Sequence, residues 1–290
     1  MWIVFACGSA LFAGITAVLA KEGIRTADST VATALRTIVV LAGAWGMVFV
    51  VGSQAELAHL DARSTGLLVL SGLATGASWL CYFKALQLGS VSKVVPIDKL
   101  STVLTVLLAL IFLGERVSLI GALGVVLIAV GTLLMLDADD LRGLPRAVRD
   151  GGGWLLYALG SAFFAALTAI LGKAGITGVE SNLGTAIRTG VVLVMAWVMV
   201  AVTGKLREVR TVPKGELGFV LASGAATCAS WLCYYRALQD GPASVVVPID
   251  KLSVLVTVLF SALVLRDAVN RRYLIGLALL VGGTLAMLVS

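Results

Sequence analysis

Two identical octapeptides, VVPIDKLS at 94–101 and 246–253, set an acid and a base side by side within apolar sequence. Charged groups in such surroundings are costly unless they pair or line a polar cavity, which makes Asp98, Lys99, Asp250 and Lys251 candidate ligand groups. Adjacent residues point to different faces of a helix, so neither pair can close on itself as i,i+4 neighbours can. Asp98 and Asp250 suit a substrate ammonium or one of the embedded basic residues; Lys99 and Lys251 suit a substrate carboxylate. Pro96 and Pro248 each remove a backbone hydrogen bond two residues before the acid, and a carbonyl freed in this way can line a transport site. A helix starting at Pro96 would instead make that proline an ordinary first residue and Asp98 a first-turn acid favoured by the macrodipole. The apolar Val245, Val246 and Val247 before Pro248 argue for an earlier helix start. Ser101 and Ser253 put hydroxyls on roughly the same face as the acids.

Upstream of each octapeptide stands an aromatic stripe, Trp79, Tyr82 and Phe83, then Trp231, Tyr234 and Tyr235. Spacings of three and four place each tryptophan beside its companions on one helical face. Such a stripe serves core packing or an interfacial belt, or it walls a cavity and stacks a flat or apolar group. Four further basic residues fall within apolar segments: Arg36 and Arg188, flanked by Thr33, Thr37, Thr185 and Thr189, and Lys84 and Arg236. For the first pair, a structural clamp and a substrate contact both remain open; for the second, snorkelling to the headgroups competes with a place on the pathway.

The elements that must carry these residues follow from composition. Of the 290 residues 59% are hydrophobic and only 13% charged, and the mean hydropathy is +1.03. A soluble domain carries about a quarter charged residues, so lipid is the solvent to assume. Crossing a hydrocarbon core of roughly 30 Å takes about 20 apolar residues. By that measure there are ten spans, near 2–20, 31–51, 66–86, 94–113, 119–136, 154–172, 183–202, 217–238, 245–265 and 274–289. The span at 2–20 lacks a basic leader and returns in mid-chain, so it is expected to be retained rather than cleaved as a signal peptide.

Shifted by 152 positions the chain aligns with itself without a gap, and close to half of the pairs are identical. WLCYFKALQLG at 79–89 returns as WLCYYRALQDG at 231–241, and TALRTIVVLAGAWGMV at 33–48 as TAIRTGVVLVMAWVMV at 185–200. An odd number of spans per copy inverts the second relative to the first, giving the geometry of alternating access around a midplane site. The expected fold is therefore an all-α membrane protein of ten transmembrane helices in two inverted five-helix repeats, 1–137 and 154–290, joined by a linker at 138–153. A channel would need a continuous polar lining that these Leu-, Val-, Ala- and Gly-rich spans do not supply. A duplicated scaffold without a pathway is the bland alternative.

The net charge of +6 is read as topology rather than as a sign of nucleic acid. Outside the positions common to both halves, Arg25, Lys93, Arg142, Arg146, Arg149, Lys205, Arg207, Arg210, Lys214, Arg266, Arg271 and Arg272 fall in or beside odd-numbered loops. Only Arg63 and Arg116 fall in even ones. Taken literally, odd loops are cytoplasmic and both termini lie outside. Cys7, Cys81, Cys228 and Cys233 lie in apolar segments without a CxxC pair or a nearby histidine, so neither a metal nor a cofactor is expected. No catalytic constellation stands out, and an enzyme is not expected.

Two gapless five-span units, each with W-x-x-Y-(F/Y)-(K/R)-A-L-Q-x-G, then VVPIDKLS, then a Gly-rich fifth span (GALGVVLIAVGTLLML, GLALLVGGTLAML), resemble the EamA-type transporters of the drug/metabolite transporter superfamily. The resemblance implies a ten-helix basket with a central cavity lined mainly by spans 1, 3, 4, 6, 8 and 9. It also implies export of small metabolites, amino acids in some branches, across the inner cell membrane. Carried over, the cavity positions are Trp79, Tyr82, Pro96 and Asp98 with Trp231, Tyr234, Pro248 and Asp250. The chain departs from the small multidrug exporters of the superfamily, which use a glutamate in the first helix, since neither 2–20 nor 154–172 holds an acid. It also departs from the family expectation of cytoplasmic termini. The excess of embedded basic groups favours a substrate bearing a carboxylate or phosphate. The expected partners are thus an amino acid-like metabolite and the bilayer, with a single copy sufficing because both repeats share one chain. An exporter of cations using Asp98 and Asp250 is the alternative.

Overall fold

Apolar runs become helices here, and polar residues at their borders decide where each begins. The computed structural model describes residues 1–88, 94, 97–98, 100–135, 153–260 and 270–289. Its helices are α1 (Trp2–Gly23), α2 (Ser29–Val51), α3 (Ala62–Leu88), α4 (Ser101–Phe112), α5 (Leu119–Leu134) and α6 (Gly153–Gly175). There follow α7 (Ser181–Val202), α8 (Lys214–Asp240), α9 (Ala243–Lys251), α10 (Ser253–Phe260) and α11 (Arg271–Leu288). Asp28 caps α2 by accepting from the Thr30 and Val31 amides, and Glu180 does the same for α7 at Asn182 and Leu183. Such side chains satisfy donors that a helix start leaves unpaired. Gly52 and Gly204, also 152 positions apart, adopt φ of 82° and 75° and turn the chain into short 3-10 helices, Ser53–His59 and Lys205–Arg210.

Seven of these helices, α1, α2, α3, α6, α7, α8 and α11, are long and apolar enough to cross a membrane, and α4 and α5 are shorter apolar helices. The described residues form no strand. The protein is thus all-α and multi-pass. Pro96 and Lys99, most of the 138–153 linker, and Lys93, Arg142, Arg146, Arg149 and Arg266 lie outside the described residues.

The halves are interwoven. α3 packs most extensively on α6, α1 on α8, α5 on α11 and α2 on α7, each pair drawing one helix from each half. Leu68 near the start of α3 meets Gly175 at the end of α6, and Val220 near the start of α8 meets Gly23 at the end of α1, so both pairs run antiparallel. α5 and α11 approach until backbone meets backbone: a Cβ on Gly131 would come 2.5 Å from the Gly276 carbonyl, and one on Gly124 would come 2.6 Å from that of Gly283. Small residues allow this close approach where lipid offers no hydrophobic drive between helices.

In the second octapeptide the chain is helical from Ala243, with Pro242 as N-cap, and the helix is interrupted at Leu252 before α10. Pro248 lies inside α9 and is buried. Having no N–H, it leaves the Ser244 carbonyl without its helical donor.

Candidate functional site

Each aspartate of the octapeptides accepts a hydroxyl hydrogen from the first helix of the opposite half. Ser161 on α6 donates to Asp98 Oδ1 at 2.6 Å, while Ser78 on α3 donates to the Ser161 carbonyl at 3.0 Å. Their repeat mates do the same: Ser9 on α1 donates to Asp250 Oδ1 at 2.5 Å, and Ser230 on α8 to the Ser9 carbonyl at 3.1 Å. The two triads therefore fix both carboxylates where helices from the two halves meet.

Between the halves lies a cavity of about 280 Å³ walled by α1, α3, α6, α7, α8 and α9. Trp79, Trp231, Tyr234, Asp250 and Lys251 line it, as does Arg188, which is only 3% exposed. Arg188 Nε donates to Ser71 Oγ at 3.0 Å and Nη2 to Thr75 Oγ1 at 2.6 Å. Its guanidinium carbon lies 4.8 Å from the ring centre of Trp231 and 4.9 Å from that of Tyr235, within cation–π range. The Tyr235 ring fills the space over Gly172, where a Cβ would come 2.7 Å from Cε1. At the matching positions of the first half stand Ala20 and Phe83.

The other candidates fall elsewhere. Arg36 lines a separate pocket of about 80 Å³ with Thr33 and Ser223. Tyr82 packs in an apolar cluster with Ala85, Val94, Ile97 and Leu155, and neither it nor Asp98 is among the cavity walls. Lys84 donates to Gln87 at 3.3 Å and Arg236 to Asp240 at 3.2 Å, both on exposed surface near the ends of α3 and α8. Ser9, Ser161, Ser71 and Thr75 escaped the sequence reading. Their signal was repetition, as in GSALFA at 8–13 and GSAFFA at 160–165, or Ser71 and Thr75 returning as Ser223 and Thr227.

The two ends of the bundle are unlike. At the end holding Trp2 and Gly241, Lys173 donates to the carbonyls of Leu238 and Gly241, and Gln239 to that of Val179 at 2.7 Å. There Glu115 accepts from the Ala243 and Ser244 amides at 2.7 and 2.9 Å, a carboxylate at a helix N-terminus. At the opposite end the repeat mates of Lys173 and Gln239, Lys21 and Gln87, are exposed, and other residues make the ties: Glu216 at the start of α8 accepts from Thr26 and Ala27, and Lys205 pairs with Asp28.

The sequence profile of the EamA-like transporter family matches residues 1–137 and 152–289, and the chain belongs to that family. A Sinorhizobium protein described as an uncharacterized transporter in the cobO 3' region is 45% identical over 134 residues, 46% of this chain and 95% of its own length. One crystal structure superposes with a TM-score of 0.73 at 19% identity, over 98% of this chain and 95% of that one, a likeness of fold. The protein is accordingly a multi-pass membrane transporter, and its family points to transport rather than catalysis.

Proposed function

We propose that this transporter is an alternating-access exporter of small metabolites such as amino acids, built as ten spans in two inverted repeats, 1–137 and 154–290. The observation that carries the reading is the cavity itself, walled by helices of both halves and holding Asp250 and Lys251 beside Trp79 and Trp231. Its volume of about 280 Å³ sits at the lower edge of the roughly 300–1,000 Å³ of drug-sized sites, which suits a small metabolite. Opposite charges in one cavity suit a zwitterion. A site for lipophilic cations would carry an acid without the accompanying Arg188 and Lys251.

In this reading the end where Lys173 and Gln239 bond backbone carbonyls is the closed one, and the end where their mates Lys21 and Gln87 are exposed is the open one. By loop charge the open end faces the cytoplasm of the inner membrane, where an exporter loads. Counterflow of radiolabelled amino acids into proteoliposomes tests the proposal. Accumulation of at least one amino acid that stops on Asp250→Asn is expected; uptake of cationic dyes with none of amino acids would sink it.

A further inference from the structure

Resting on that reading, we infer that Arg188 is the anchor for the carboxylate of the transported amino acid. A guanidinium has five N–H donors in a planar fork. Ser71 takes the single hydrogen of Nε, and Thr75 takes one of the two on Nη2. Nη1 is buried and has no hydrogen-bond partner. What remains is the end-on edge, Nη1 with the second hydrogen of Nη2, whose parallel N–H pair matches the two oxygens of a carboxylate.

Charge leads to the same assignment. Both hydrogen-bond partners of Arg188 are neutral hydroxyls, and among the described residues no carboxylate forms an ion pair with it. A buried cation left unpaired is expensive, and a bound anion relieves that cost. Trp231 and Tyr235 lie against the guanidinium and limit its tilt, so the free edge is pre-oriented. Asp250, in the wall of the same cavity, takes the ammonium. A carboxylate and an ammonium on one small molecule then satisfy both walls, whereas an amine without a carboxylate leaves Arg188 unpaired.

Full-length protein in lipid nanodiscs is titrated with the common amino acids, and binding is followed by quenching of tryptophan fluorescence. Each amino acid that binds is compared with its carboxamide, which keeps the shape and loses the anion. The amide is expected to bind roughly tenfold to a hundredfold more weakly, the range for losing a charged hydrogen bond. Arg188→Lys, which keeps the charge and loses the fork, should lose about tenfold or more. Amide binding equal to that of the acid overturns the assignment, and this comparison needs no variant to fold. Unchanged counterflow by Arg188→Lys and Arg188→Gln overturns it too, while leaving the exporter reading intact. If wild-type protein neither binds nor carries any amino acid, the proposed function fails and this assignment fails with it.

Discussion

Ser9 donates its hydroxyl hydrogen to Asp250 at 2.5 Å although 241 positions separate them in the chain. The bond joins the first helix of one half to the broken helix of the other, and Ser161 and Asp98 repeat it. Only Asp250 lines the described cavity. If the repeats exchange roles during transport, Asp98 serves in the other conformation. Asp98→Asn should therefore slow amino acid counterflow as severely as Asp250→Asn. Ser9→Ala and Ser161→Ala, each deleting one hydrogen bond to a charged group, should cost about tenfold or more. Wild-type counterflow by Asp98→Asn would refute the exchange.

The bonds made by Lys173 and Gln239 give a second expectation. Lys173→Ala combined with Gln239→Ala removes the side-chain bonds that α6 and α8 contribute at this end and leaves Glu115 on the Ala243 and Ser244 amides. Leu238 is fully buried there, so a cysteine replacing it in a background free of Cys7, Cys81, Cys228 and Cys233 reports opening. Labelling by a membrane-impermeant maleimide should accelerate several-fold in the double variant. Lys21→Ala and Gln87→Ala, at the already exposed end, should not accelerate it.

The α5–α11 crossing is a question of packing alone. At Gly131 an added methyl would meet the Gly276 carbonyl, which is backbone and cannot swing aside. Overpacking costs typically about 1–3 kcal/mol, so Gly131→Ala should lower the thermal unfolding midpoint in detergent. Gly282 has nothing within 4 Å of the same methyl. Gly282→Ala should hold or raise the midpoint, since alanine is the better helix former.

Asp28, at the mouth of α2, supplies a pH dependence. Burial pushes its carboxyl up, but the hydrogen bond from Lys205 and those from the Val31 and Thr30 amides together outweigh it, and the pKa falls below its ordinary value. The unfolded chain then binds a proton more readily than the folded one, so stability rises with pH through that region. Asp28→Asn keeps a capping oxygen and loses the charge. The stability gap between wild type and this variant should be full above about pH 4, near the unfolded aspartate value, and close as pH falls through the lower, folded value. Thermal unfolding across that range measures it; a gap that persists in acid would place the stabilisation elsewhere.

Much of this was legible in the chain. Apolar runs bounded by polar ones, and a self-match at 152 positions, gave the helices and their pairing into equivalent sets, because lipid forces both features onto sequence. Asp250, Lys251, Trp79, Trp231 and Tyr234 were legible because polar and aromatic groups stand out in an apolar background. Sequence could not separate Arg36 from Arg188, or Tyr82 from Tyr234, because repeat mates are chemically alike. One conformation with unlike ends must treat such mates differently, and that difference lies in packing. Ser9 and Ser161 did not stand out, since a serine inside a helix commonly bonds its own backbone. Which half each helix would pack against was hidden for another reason: α1–α8 and α3–α6 are contacts between residues far apart in the chain.

Interweaving has a consequence for biosynthesis. When only the first half has left the ribosome, Asp98 has no Ser161 to donate to it, and α1 has no α8 against which to lie. The Asp98 side chain then meets only water or headgroups until α6 arrives. The order of synthesis thus defers the completion of both triads to the second half, and a chain halted at the linker is left with an unsatisfied acid rather than a finished domain.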